Sequence, residues 1–351
     1  MIYQPNWEKI QSRMLAYWNR ESLDRCCASF EVRKPGYVDF SGNFYFETEK
    51  ATEMFRKRFE NTTYYADAFP FLFPYFGTAG IAEYTGCKPN RVPETTWFDH
   101  WMEDMDEPDA ELIRYSHPEA FAEQKEAIRD LLVRSNNEYM VSVSDNAGVM
   151  DALAEVRGTE NLMMDMLTDP EFVEAGLQKL LPIYKQTQTE LFELVKENNR
   201  GCVHAWMQLW APSPVAQMQC DLSVMLSPAM YERFILPELN DVCDFLDYSV
   251  YHFDGQEQIR HLDHLLSVKK LNAIQWTPVA GQPKTSEFIP VLQKIQKAGK
   301  NLVLTPDASE VRTLLDNLSS RGLQLVISGG STEDEARDLM HLIETHSVNR
   351  G

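Results

Sequence analysis

Apolar residues recur at two periods along the chain. Near the start, Ile10, Met14 and Tyr17 or Trp18 fall at helical spacing, which predicts a helix over 6–20. "CCASFEV" (26–32) then reads as a short buried strand. From about 138 onward the pattern becomes regular. "EYMVSVS" (138–144), "GCVHAWMQLW" (201–210), "DYSVYHFD" (247–254), "KLNAIQW" (270–276), "NLVLTP" (301–306) and "LQLVIS" (323–328) are strand-like runs. Helical segments separate them, several with recognisable starts: Ser116 with Pro118 and Glu119, "TDPE" at 168–171, Ser227 with Pro228, Asp307 with Glu310, and Ser331.

Strands rich in β-branched and apolar residues, alternating with helices, predict an α/β fold around a parallel sheet covered on both faces. Two arrangements satisfy that pattern, an eight-stranded barrel and an open doubly wound sheet. No G-x-G-x-x-G follows any strand, so a dinucleotide crevice has no support. The expectation is a (β/α)8 TIM-type barrel forming a single domain over 1–351. Its N-terminal part, about 1–135, carries an aromatic-rich insertion at 34–93 with one helix near 48–60.

A barrel of this kind carries its site at the C-terminal ends of the strands. The polar residues at those ends are Asp145, then His204, Trp206 and Gln208 on one strand face, then His252 and Asp254, then Gln275 and Trp276. His252 and Asp254 stand two apart on a strand and so face one side. That pair suits a metal, or acid/base and orienting work on a substrate. The bland alternatives are a core histidine and an aspartate that caps the following helix. Asp221, in the loop before Ser227, belongs to the same rim. Tyr75 and its aromatic neighbours in the insertion could wall a pocket for an apolar or methylated ligand.

The net charge of −20 removes the basic footprint that nucleic-acid binding needs. No apolar run reaches the length of a membrane span. The opening "MIYQPNWEKI" has neither a basic n-region nor an apolar h-region, and the six cysteines follow no framework spacing. A cytoplasmic protein with reduced thiols is expected.

The segments "DAFPFLFPYFGTAGIAEYTGC", "TTWF", "GTENLMMDMLTDPEFV", "LWAPSPVAQMQCDLSVMLSPAMYERFILPEL", "YHFDG" and "LNAIQWTP" together resemble the uroporphyrinogen decarboxylase superfamily. That superfamily includes zinc-dependent methyltransferases that work with corrinoid proteins. The resemblance implies a (β/α)8 barrel and a small-molecule site at the strand ends. The decarboxylases' arginine-rich N-terminal motif and their Gly-His-Gly turn are missing here, so the chain lies nearer the methyltransferase branch. Those enzymes hold zinc with His-x-Cys and a later cysteine. This chain has His252-x-Asp254 and no cysteine after Cys243.

The resemblance therefore implies methyl transfer between a small methylated substrate and a separate corrinoid protein, in a chain that could dimerise. His252 and Asp254 would bind zinc or another metal, or polarise the substrate. A cofactor-independent decarboxylase or lyase acting on a small carboxylic acid is the alternative, as is a non-catalytic binding protein on the same scaffold.

Overall fold

The computed structural model describes residues 3–350 apart from Ser22, Ser41, Ala147, Ala280 and Ser331. The expected cap at Ser331 thus falls outside the described residues. Helix α1 (Trp7–Trp18) leads into strand β1 (Cys27–Arg33). The aromatic region folds as α2 (Thr48–Glu60), β2 (Thr62–Ala66), β3 (Phe71–Leu72), α3 (Gly80–Tyr84), β4 (Lys88–Val92) and β5 (Thr95–Asp99). Then come α4 (Pro118–Ser135), β6 (Met140–Val141), α5 (Val149–Arg157), α6 (Thr159–Thr168) and α7 (Pro170–Asn199). The strands β7 (Cys202–His204), β8 (Leu209–Ala211) and β9 (Val215–Met218) precede α8 (Pro228–Met230) and α9 (Leu236–Phe245). The C-terminal part alternates regularly: β10 (Tyr248–Asp254), α10 (Leu262–Ser267), β11 (Ala273–Thr277), α11 (Ile289–Lys297), β12 (Asn301–Leu304), α12 (Val311–Asn317), β13 (Leu323–Val326) and α13 (Glu333–His346).

The central sheet has seven strands in the order β2-β1-β13-β12-β11-β10-β9. Every ladder in it is parallel except the edge pair β1 with β2. A separate parallel pair joins β3 to β6. The fold is thus α/β with a parallel centre, as the alternation predicts. The expected closed eight-strand ladder is not what the hydrogen bonds draw among the described residues: they end at β2 and at β9.

Several helix starts follow their sequence signals. Asp169 accepts from the N–H of Phe172 with Pro170 at the first helical position, and Ser227 accepts from Met230 in the same way. Asp307 and Glu310 form the reciprocal capping box. Ser116 does not cap α4; His117 occupies that position without a side-chain cap, and Ser116 bonds its ring instead. The chain between α8 and α9 widens into a π-turn, Tyr231–Ile235, of the kind often found beside functional sites.

The largest departure lies at 201–210, expected as one strand. It is an antiparallel hairpin, β7 against β8, turning through Ala205–Gln208 with Gln208 at φ 47°. The strand that enters the sheet beside β10 is β9. The run at 138–144 is likewise shortened to Met140–Val141.

Candidate functional site

Register determines which side chains meet. In the β10–β11 ladder His252 pairs with Gln275, Phe253 with Trp276 and Asp254 with Thr277. Partners in a ladder point the same way and neighbours point oppositely. His252, Asp254, Gln275 and Thr277 therefore share one face. Phe253 and Trp276 share the other, where Trp276 packs 5.5 Å from Phe253 and 4.6 Å from Phe288. Trp276 is fully buried there and does not wall the site, which corrects the expectation. Adjacent strand residues cannot both face one cup, so Gln275 and Trp276 had to separate.

His252 is held from behind. Its Nδ1 lies 2.8 Å from Gln275 Oε1 and 3.3 Å from Thr277 Oγ1. An N–H on Nδ1 satisfies the glutamine oxygen and leaves Nε2 as an acceptor. On its open side stands Trp206, ring centroids 5.1 Å apart and nearly perpendicular. The same indole touches His204, 5.2 Å away. The hairpin turn thus delivers Trp206 between two imidazoles. His204 is buried, and burial first, then the nearby His252, pushes its pKa down to about 3, with the Gln217 amide partly opposing. His204 is neutral at any working pH.

Asp254 does not cap the next helical turn; Gly255 holds that position, and the Asp254 backbone N–H donates to Gln258 Oε1. Asp221 sits across from it. The Asp221 backbone N–H donates to Asp151 Oδ1 at 2.9 Å, while Asp151 Oδ2 is buried without a partner. Burial pushes the Asp151 carboxyl well above its usual range, and the Asp221 charge adds to it. Asp221 is raised by burial too, pulled down by His252 and pushed up by Asp254. Asp221 keeps an exposed edge that water screens, so burial weighs more heavily on Asp151. Gly148 makes this approach feasible: a Cβ on it would stand 1.9 Å from the Gln219 carbonyl oxygen.

An amide chain runs inward from this pair. Gln219 Nε2 donates to Asp221 Oδ1 at 3.1 Å, and Gln217 Nε2 donates to Gln219 Oε1 at 2.6 Å. Gln217 and His204 then line a narrow cavity of about 20 Å3 with Phe73, Ser144, Asp145, Asn146 and Trp206. Tyr75 stands beside Phe73, ring centroids 6.0 Å apart, with its hydroxyl 3.1 Å from Thr78 Oγ1. Burial raises the Tyr75 hydroxyl, and the Asp145 charge adds to it.

His204, Trp206, His252, Gln275, Asp254, Asp221, Asp145 and Tyr75 therefore fall around one end of the structure. Gln208 does not join them. It leaves the hairpin on the β1–β13 side, where it lines a second hollow with Glu31 and Ser328. Sequence reasoning missed Asp151, Gln217 and Gln219. The two glutamines and Asp221 stand at alternate positions in "AQMQCD", a period-2 signal that reading "HAWMQLW" as the strand concealed. Asp151 lies inside α5 and carries no such signal.

The expected metal set does not form. Among the described residues no three His, Cys, Asp or Glu side chains gather in a metal-holding group. The six cysteines are all buried and free, and His252, whose Nε2 stays open, has no three-ligand group around it among the described residues. The donor set does not fit zinc. No helix among the described residues is long and apolar enough to cross a membrane.

No family model matches the chain, and no curated protein matches it. Among solved structures the chain is similar to a methyltransferase from Methanosarcina mazei, with a TM-score of 0.57 at 12% identity, covering 96% of this chain and 98% of that one. At that identity the likeness is one of fold.

Proposed function

We propose that the chain is a methyltransferase-like enzyme that takes a methyl group from a small methylated substrate bound at the strand ends. The fold likeness along nearly the full length of a methyltransferase supports this reading, as does the resemblance of several segments to the uroporphyrinogen decarboxylase superfamily. The parallel strands favour a TIM-type closure with its site on the C-terminal rim. The acceptor would arrive on a separate corrinoid protein, whose reduced cofactor supplies the electron pair that takes the methyl group.

The observation that carries the proposal is the Asp151–Asp221 pair, joined by the Asp221 N–H to Asp151 Oδ1 bond and set within electrostatic reach of His252. When the carbon–heteroatom bond breaks, its electrons stay on the heteroatom. A proton from the carboxyl pair then neutralises that atom, which is general-acid work. His252, oriented by Gln275, accepts a hydrogen bond from the substrate through Nε2, and Trp206 and Tyr75 hold the apolar part. Asp254 sustains the raised carboxyl of Asp221.

The test is a panel of 13C-methyl amines, ethers and thioethers with free reduced cobalamin as acceptor. Transfer of label, read by NMR and reduced by Asp221→Asn, supports the proposal. Release of carbon dioxide from a small carboxylic acid, with no label transferred from any donor, would replace it with the lyase reading.

A further inference from the structure

The second hollow, where β1 and β13 end, opens on the same face of the sheet as His252. The ladders pair His252 with Gln275, Gln275 with Val303, Val303 with Gln324 and Gln324 with Cys27. Paired residues point the same way, so Cys27, Ser29, Glu31 and Arg33, at alternate positions of β1, share the face of His252. The hollow measures about 390 Å3 and lies between Glu31, Arg33, Gln208 and Ser328. At Glu31 and Gln208 it adjoins a smaller chamber of about 160 Å3, walled by Phe55, Tyr64, Phe69 and Phe71.

Side chains around this hollow keep unused bonding capacity. The Glu31 carboxylate accepts no hydrogen bond and joins no ion pair among the described residues. Burial pushes its carboxyl up, and the charges of Arg58 and Arg33 pull it partly back. Arg58 borders the smaller chamber but is turned to the backbone: it donates to the Phe40 carbonyl at 3.2 Å and lies 3.7 Å from the Phe40 ring. Arg33 gives Nη1 to Asp39 at 3.1 Å, which leaves further donors of its fork open. Gln208 sits at φ 47°, a left-handed position that glycine fills with least strain. Its carbonyl accepts from Gln324, which also donates to Ser29, and its side-chain amide has no partner among the described residues.

Glu31 and Arg33 therefore present opposite charges from one strand face without pairing with each other. Alternate residues on a strand stand about 6.6 Å apart, a gap that a molecule with an ammonium and a carboxylate on one carbon can bridge. The aromatic chamber beside them suits an uncharged substituent. We infer that this hollow binds an α-amino acid with a compact apolar side chain: its ammonium on Glu31, its carboxylate on Arg33, its side chain in the aromatic chamber. The Gln208 amide serves either charged end. The claim is one of binding and stands apart from the methyl-transfer reading.

Calorimetric titration of the full chain with L-leucine, isopentylamine, 4-methylpentanoate and glycine tests it. The last three lack in turn the carboxylate, the ammonium and the side chain. Leucine should bind, and each of the others about tenfold more weakly or worse. Glu31→Gln, which removes a charge but no existing bond, should weaken leucine about tenfold and leave 4-methylpentanoate unchanged. Arg33→Met should weaken leucine to a similar degree and leave isopentylamine unchanged. Both variants should unfold at the wild-type temperature. No binding of leucine, any of the other three matching it, or wild-type leucine affinity in either variant would overturn the inference. Leucine binding by a protein that transfers no methyl group would leave it standing and remove only the reaction proposed above.

Discussion

Two buried polar clusters in this protein look alike in composition and differ in completeness. Near the N-terminus, Asp67 is wholly buried yet saturated. It accepts from Arg13 at 2.5 Å, from Arg25 at 2.6 and 3.1 Å, and from the Ala28 backbone N–H at 3.1 Å. Asp24 takes up the remaining Arg13 donors. Around the Trp206 cavity, Ser144, Asn146, His204 and Gln217 are as deeply buried and leave an atom each unpaired. Burial is common to both clusters and so does not mark function. A saturated network has nothing left to offer a ligand; an unsaturated one keeps its capacity in reserve.

The comparison can be broken most severely at Asp67. Asp67→Ala leaves two buried guanidinium groups facing each other and should destabilise the fold by about 3–5 kcal/mol in denaturant titration. A loss below 1 kcal/mol would mean that the network is not structural.

Next in size is Asp221→Asn. It should lower methyl transfer by about 10²–10⁴-fold, the usual range for a lost general acid, while leaving thermal unfolding near wild type. A large drop in stability instead would move Asp221 into the structural class.

Glu238 sharpens the contrast through pH. Burial pushes its carboxyl up to about 8 from 4.5, against hydrogen bonds from the backbone N–H groups of Val149 and Met150 at the start of α5. The folded state then holds a proton that the unfolded chain has released. That contribution is complete below about 4.5 and is lost as pH rises through about 8. Melting temperature should fall across that window. Glu238→Gln should flatten the fall, even though its amide can accept from only one of the two N–H groups at a time. Asp151 shares the sign, so a residual slope in the variant is expected, and an unchanged slope would remove Glu238 as its source.

Ser144→Ala should have the smallest effect. Its Oγ has no partner to lose, so stability should stay level or rise by up to about 1 kcal/mol. Destabilisation beyond that would reveal a structural role for the hydroxyl.

Much of the fold was legible because the C-terminal strands announce themselves. The runs containing Tyr248–Asp254, Ala273–Thr277, Asn301–Leu304 and Leu323–Val326 are apolar, bounded by turn or cap residues, and lie where periodicity puts them. The hairpin at Cys202–Ala211 was not legible. Its turn, Ala205–Gln208, holds no Gly, Asn, Asp or Pro, and the left-handed position falls on a glutamine. Nothing local marks it, because the turn is imposed by packing: the Trp210 indole donates to the Asn199 carbonyl, and Trp18 donates to the Trp210 carbonyl.

Of the site, His252 and Asp254 could be read from their spacing, and their shared face is what the ladder places beside Gln275. Whether an amide presents its oxygen or its nitrogen depends on partners distant in sequence, such as Thr187 for Asn146. No pattern along the chain encodes that.

The position of the Trp206 indole, edge-on to both His204 and His252, has a geometric corollary. It is a wall common to both imidazoles, so a rotation of this one indole changes the surroundings of both rings at once.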